Sequence, residues 1–316
     1  MLFALSLSPA YDRRPLVRFF AVHNLRFYVQ VWCNSCLNNR KDYPMQFVDR
    51  ALARRLESAE EMPQVYHADW CIKNQPTVGA AVEKIAGGHM IFAGLGSPIG
   101  RAVGMGFAAP VSVAEMDQLE AFYFSRHAPS QVDYCPLSDP SLLEIARQRG
   151  YGIAELNNVL ARKLDPSEKF PAPSGFTIRP GRPEQAMQFA SIVRRSFFPD
   201  GGEPAGFDEM IAPTFAFPGN ITFVAEVDGQ PVAAGAGLVI SEHRIVALFG
   251  AGTLTPYRGR GIQTAILQTR LQIAAEAGCE YAVIVAQGGT TSMRNAERLG
   301  FRVAYSKATL IKAPPA

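Results

Sequence analysis

Net charge is nearly absent from this sequence. Its 316 residues carry 31 basic and 28 acidic side chains, a balance of +3. Such a chain offers no electrostatic footprint for a polyanion, so neither nucleic acid nor an acidic membrane surface is an expected partner. Cysteine is sparse and odd in number: Cys33 and Cys36 lie close together, while Cys71, Cys135 and Cys279 are scattered. That pattern excludes a disulfide framework and points to a reducing, cytoplasmic compartment. A zinc site built on Cys33-Asn-Ser-Cys36 needs a second Cys or His pair, and none stands nearby. His23, His67, His89 and His127 are isolated in the sequence, so no metal is expected. Long apolar runs are missing too, which excludes a spanning helix of about 20 residues. The opening "MLFALSLSPA" lacks basic residues and is short for a signal peptide. What remains is 48% hydrophobic and 19% charged, the balance of a folded globular protein long enough for two domains.

Residues 1–44 set Arg, His and Asn inside aromatic runs with no clean period. They are expected to be an atypical extension that is not native, the natural start being Met45. From Gln46 to Ser58 the apolar residues Phe47, Val48, Ala51, Leu52 and Leu56 recur at helical spacing, and a second helix is predicted over Pro63 to Lys73. "HMIFAGLGSP" and "GRAVGMGF" read as short strands. Ser112 with Glu115 forms a capping box before a helix, then "SQVDYCPL" predicts a strand, "DPSLLEIARQRG" a helix and "IAELNNVLARKL" a strand. Residues 165–175, rich in Pro and Ser, read as a linker.

A second series follows. Strands are predicted at "FTIRP", "ITFVAEV", "PVAAGAGLVI", "RIVALFGAGTLT", "YAVIVA" and "FRVAYSKATLI". Helices are predicted at "RPEQAMQFASIVRRSFF", "GFDEMIAPTF", Gly261 to Ala277 and "TSMRNAERLG". Asp228-Gly229 is a hairpin turn signal. Both halves end helix, strand, helix, strand, with "RQRGYGIAE" and "AERLGFRVA" at equivalent steps. The order reads as a diverged internal repeat of a mixed α/β domain.

Within the second series, "GTLTPYRGRGIQTAIL" (Gly252 to Leu267) runs as a strand, breaks at Pro-Tyr-Arg-Gly-Arg-Gly and restarts at once as a helix. A strand ending in such a turn aims several free backbone N–H groups at one point, and the helix dipole adds positive potential there. Gly259 and Gly261 let the backbone approach a bulky anion, and Arg258 and Arg260 add charge. The natural guest is a phosphate or diphosphate. A Walker loop needs Gly-Lys-Ser/Thr, which is missing; the dinucleotide fingerprint needs a third glycine where Thr264 stands.

The stretch resembles the Gcn5-related N-acetyltransferase (GNAT) superfamily, whose signature Arg/Gln-x-x-Gly-x-Gly/Ala maps onto Arg258, Gly259, Arg260, Gly261, Ile262 and Gln263. Gln263 departs from the small residue expected last. "NAERLGF" (Asn295 to Phe301) is similar to the family's step from last helix to last strand. The resemblance covers Phe176 to about Ile311 in element order. It implies an α/β protein with a mixed α+β sheet, the acyl-CoA N-acyltransferase fold, as two GNAT-like domains in tandem: a degenerate one over 45–164, which lacks the anion-binding signature, and an N-acetyltransferase domain over 176–316.

The resemblance further implies acetyl-CoA as cosubstrate, with no metal, lying where the strands "RIVALFGAGTLT" and "YAVIVA" splay. Backbone of Thr253, Leu254 and Thr255 is expected to pair with the pantetheine arm. Arg258, Gly259, Arg260, Gly261, Ile262 and Gln263 are expected around the diphosphate, with Thr264 behind and Asn295 touching CoA. A primary amine, on a small molecule or a peptide, attacks the thioester directly. Ala296 stands where relatives carry an acidic Tyr, and Gly289 where they carry an Asn, so no acid or base is assigned. His243 and Tyr257 read as surface or packing residues. Asp200, Glu203 and Asp208 form an acidic loop that either attracts a cationic amine or is merely solvated. Two functions remain open at this point: an N-acetyltransferase, or a non-catalytic acyl-CoA-binding or scaffolding protein. Oligomeric state is left open.

Overall fold

A computed structural model describes residues 47–315. The segment 1–44, with His23 and the Cys33/Cys36 pair, lies outside the described residues.

Helix α1 spans Arg50–Asn74, with the Asp49 carboxylate accepting from the Leu52 N–H at 2.8 Å as N-cap. It is one helix and not the two expected, because it runs straight through Pro63. An interior proline costs roughly 3 kcal/mol. Burial of Ala53, Leu56, Ala59, Val65, Ala68 and Cys71 along one face outweighs that cost. Five polar side chains on the same helix, Glu57, Ser58, Glu61, Gln64 and His67, are also buried.

Strands β1 (Ala81–Ile85) and β2 (Gly88–Phe92) pair antiparallel through Ala86 and Gly87, both at positive φ. Two left-handed residues are what a tight hairpin turn requires. β1 was not expected, and the strand expected at "GRAVGMGF" reduces to isolated bridges at Ala102 and Val103. Helix α2 (Val113–Phe124) starts on the expected Ser112–Glu115 capping box. β3 (Ser130–Tyr134), α3 (Ser141–Gln148) and β4 (Gly152–Lys163) follow.

After residues 165–175 come β5 (Thr177–Pro180), α4 (Ala186–Phe197), α5 (Phe207–Ile211), α6 (Pro213–Ala216), β6 (Phe223–Val227), β7 (Gln230–Ile240) and β8 (Ile245–Thr253). The chain ends with α7 (Ile262–Glu276), β9 (Tyr281–Gln287), α8 (Thr291–Arg298) and β10 (Arg302–Lys312).

One sheet of eight strands runs β3-β10-β4-β9-β8-β7-β6-β5. Its pairs are antiparallel except β8 with β9. The order is reciprocal between the two halves of the sequence. β10 fills the place between β3 and β4, and β4 fills the place between β9 and β10. Each half thus lends its last strand to the other, and residues 45–316 form one compact unit. Alternation along β8 sends Val246 and Leu248 toward α7, with Leu267 and Leu271, and Ile245 and Ala247 toward α1, with Ala53 and Leu56. α4 covers the neighbouring strands through Phe189, Ala190 and Val193. Among the described residues no helix is long and apolar enough to cross a membrane.

Candidate active site

β8 and β9 are hydrogen-bonded only over Ile245–Ala247 and Tyr281–Val283. Beyond that, β8 follows β7 and β9 follows β4, so the two diverge into a wedge. The register shifts where Ala234 faces Gly252 and Ala236 faces Phe249, leaving Gly250 and Ala251 on β8 opposite Gly235 alone on β7. Such a bulge bends a strand away from its neighbour. Arg270, buried on α7, braces it by donating to the carbonyls of Ala236 and Phe249. Burial lowers its pKa to about 10.

At the mouth of the wedge, residues Thr255–Tyr257 make one short turn, and the Arg258 N–H donates to the Thr255 carbonyl at 3.2 Å. Gly259 and Gly261 sit at φ 77° and 76°, a region L side chains rarely occupy. α7 then starts with its first bond from the Ala265 N–H to the Gly261 carbonyl. Among the described residues, no acceptor takes the N–H of Gly259, Arg260, Gly261, Ile262, Gln263 or Thr264. Gly259, Gly261, Ile262, Gln263 and Thr264 line an outer cleft of about 630 Å³ at the positive end of this fifteen-residue helix. The Thr253 hydroxyl, buried on the cleft wall, has no partner there.

Two groups of expected residues also bond within the chain. The Leu254 N–H donates to the Val232 carbonyl, the Leu254 and Thr255 carbonyls accept from Tyr257 and Arg258, and the Thr253 carbonyl accepts from Arg258 Nε. Thr253 lines the outer cleft with Ala251 and Gly252, and Gly250 and Ala251 line the inner wedge. The Arg258 guanidinium also turns inward, donating to the Ser196 carbonyl at 2.5 Å, so it fastens the loop to α4. Arg260 remains exposed, 5.3 Å above the Tyr257 ring. Tyr257 is a partly buried packing residue, as expected.

Gln263 and Asn295 both line the wedge and the cleft, and the Asn295 Nδ2 donates to Gln263 Oε1 at 3.1 Å. Ser292 and Thr264 also line the cleft. Ala296 is buried in the core and Gly289 occupies a turn at φ 77°, so neither position supplies an acid or an amide side chain. The acidic loop is largely spoken for: Arg194 pairs with both Glu203 and Asp208. His243 sits in the turn before β8, its carbonyl accepting from Arg55.

The sequence reading missed Glu60. It projects from α1, in the first half of the chain, onto the inner end of the wedge. The inner space is about 190 Å³ and shares Ala59, Glu60, Phe197, Phe249 and Gly250 with a second, apolar chamber of about 380 Å³. Glu60 Oε2 lies 3.5 Å from Lys307 Nζ, which is buried on β10 and also meets Asp133 at 2.9 Å and Glu57 at 3.5 Å. Burial alone pushes the Asp133 carboxyl up, but Lys307 and Arg101 hold it below its ordinary value. Burial wins at Glu57, whose pKa is raised. Lys307 is raised despite burial because the three carboxylates surround it. The signal was present in α1 as polar residues at helical spacing on its buried face. Among the described residues no cluster of three His, Cys, Asp or Glu side chains is placed to hold a metal.

Residues 187–301, which include β6 to β9, the wedge and the glycine loop, match the model of the acetyltransferase (GNAT) family. Over those residues the chain is similar to the GNAT family. Solved structures share its fold. A GCN5-related N-acetyltransferase from Kribbella flavida is 18% identical, with a TM-score of 0.54 over 78% of this chain and 95% of that one. A tandem GNAT protein from the clavulanic acid biosynthesis pathway is 12% identical, with a TM-score of 0.55 over 93% and 97%. A functionally unknown conserved protein from Staphylococcus epidermidis is 13% identical, with a TM-score of 0.53 over 75% and 96%. Likeness to the tandem GNAT protein extends across both halves of this chain, in keeping with the mixed-sheet tandem arrangement. Among curated proteins, none matches the chain in sequence.

Proposed function

We propose that this GNAT protein transfers an acetyl group from acetyl-CoA to a primary amine by direct attack on the thioester. The observation that carries the reading is the set of six unpaired amides at Gly259 to Thr264, opening on the cleft that continues into the β8–β9 wedge. Two phosphoryl groups fit such a cradle, since each oxygen accepts from amides that have no other partner. The buried Thr253 hydroxyl offers one more contact on the cleft wall. The backbone from Gly250 to Thr255 would meet the pantetheine arm, and Gln263, Thr264 and Asn295 would line its path.

The residues 45–164 and 176–316 are read as two GNAT-like halves, the first without an anion cradle and lending α1 and β4 to the second. The acceptor is a small molecule or a peptide amine, the compartment the cytoplasm, in keeping with free buried Cys71, Cys135 and Cys279. A second reading, acyl-CoA binding without turnover, draws on Ala296 standing where the resemblance calls for an acid. Calorimetry with CoA and thiol release from acetyl-CoA across a panel of amines separate the two. Binding with turnover supports the enzyme, binding without turnover on every amine the scaffold, and no binding refutes both.

A further inference from the structure

We infer that the chamber beyond Glu60 receives a primary amine carried on an apolar body of aromatic size, and that α1 of the first half holds its ammonium group. This rests on the acetyl-transfer reading above and names its acceptor class. The chamber walls are dominated by Phe197, Phe198, Phe207, Ile211, Phe215 and Phe249. Against that lining, α1 presents a run of acceptors. Glu60 Oε1 takes no hydrogen bond among the described residues, its other oxygen facing Lys307. Gln64, one turn further on, is 8% exposed and its Oε1 has no partner among the described residues. Pro63 has no N–H, so the Ala59 carbonyl lacks its helical donor. Ala59, Glu60, Pro63 and Gln64 all line the chamber.

A buried acceptor without a donor is destabilising, and two of them, on Ala59 and Gln64, beside the half-buried Glu60 carboxylate call for a ligand rich in donors. An ammonium group brings three N–H bonds and a charge opposite to Glu60. A phosphate or carboxylate brings only acceptors. The remaining charged group on the wall, Arg101, is engaged by Thr309 at 3.0 Å, Glu155 at 3.4 Å and Asp133 at 3.6 Å. Thr214 is bonded to His67 Nδ1 at 3.0 Å. Polar atoms along a polyamine or a sugar would meet phenyl rings and go unpaired.

Glu60 also stands where the chamber meets the wedge, so its carboxylate accepts one proton from the ammonium. The freed lone pair forms the C–N bond, the C–S bond breaks, and a second N–H proton ends on the departing thiolate. The third stays on the amide nitrogen, and Glu60 releases its proton to water.

The test uses the full chain, 2-phenylethylamine, spermidine and an aminoglycoside. Acetylation of 2-phenylethylamine is expected with kcat/KM about 100-fold above the other two. Glu60→Gln is expected to lower its kcat/KM about 100-fold, with partial recovery in Glu60→Asp. Gln64→Leu is expected to raise KM about 10-fold with kcat nearly unchanged. CoA affinity by calorimetry is expected to stay constant in all three variants, which also reports that they fold. Preference for spermidine or the aminoglycoside, or unchanged kinetics in Glu60→Gln and Gln64→Leu, overturns this inference alone. Failure to bind CoA, or no turnover of any amine, overturns the acetyl-transfer reading with it.

Discussion

The side-chain amide of Asn295 donates to Gln263 Oε1 at 3.1 Å, tying the first turn of α7 to α8 across the mouth of the wedge. Gln263 is the residue that departs from the family's small one, and the structure gives it this bridging contact. Gln263→Ala and Asn295→Ala should each weaken CoA binding by about 2- to 10-fold, the range of one half-buried hydrogen bond. The double variant should be no worse than the singles, with a coupling of about 0.5 to 1.5 kcal/mol. Additive losses in calorimetry would show that the two side chains act separately.

Gly261 should be the least replaceable residue of the loop. At φ 76° a Cβ costs on the order of 1–2 kcal/mol for most side chains, although among the described residues no atom beyond the chain neighbours lies within 4 Å of where it would stand. Gly261→Asn tolerates that conformation and should keep measurable CoA affinity. Gly261→Asp adds a carboxylate beside the free amides and should lower affinity more than about 100-fold while the melting curve stays cooperative. An aspartate variant that binds CoA like the parent would mean that the diphosphate lies elsewhere.

How much of this was legible in the sequence follows from where the physics is local. Ser112–Glu115 is a short-range reciprocal bond, and it appears as expected. Asp228 and Gly229 both adopt positive φ, as a two-residue hairpin demands. The glycine loop was readable because a strand-to-helix restart leaves its amides unpaired by construction. What was illegible depends on long-range packing. No local rule lets a helix pass through Pro63; the buried face around Leu56 and Val65 does. Nothing near Arg258 in sequence announces that its guanidinium will seek the carbonyl of Ser196, 62 positions earlier. The place of β10 between β3 and β4, and hence of Lys307 behind Glu60, is a property of the whole sheet.

Lys307 gives a stability prediction. It is 2% exposed and faces Asp133, Glu57 and Glu60. Lys307→Met fits the space but strips the counter-charge from Asp133 and should cost about 3–5 kcal/mol, as breaking other buried pairs does. The Asp133 carboxyl is held below 3.8 in the folded protein, so its contribution is present above that pH and is lost as the pH falls beneath it. The parent should therefore show a stability loss in strong acid that Lys307→Met largely lacks. Equal acid sensitivity in urea melts of the two proteins would count against the arrangement.

His67 acts in a milder range. Its ring is buried, Nδ1 meets Thr214 Oγ1 at 3.0 Å, and Nε2 has no partner among the described residues. Burial lowers its pKa from 6.5 to about 4. The unfolded chain therefore binds a proton at pH 5 that the folded one refuses. The neutral ring's contribution is complete above pH 6.5 and drains away as the pH falls toward 4, by on the order of 3 kcal/mol. His67→Leu cannot take up that proton in either state. Its urea midpoint should change little between pH 7 and pH 4.5, whereas the parent's should fall. Because Thr214 also lines the apolar chamber, the same protonation would disturb the wall next to Gln64. Acetylation by the folded parent should then show a rising KM before a falling kcat only as the pH approaches 4, and a parent whose midpoint is as flat as the leucine variant's would remove the histidine from the account.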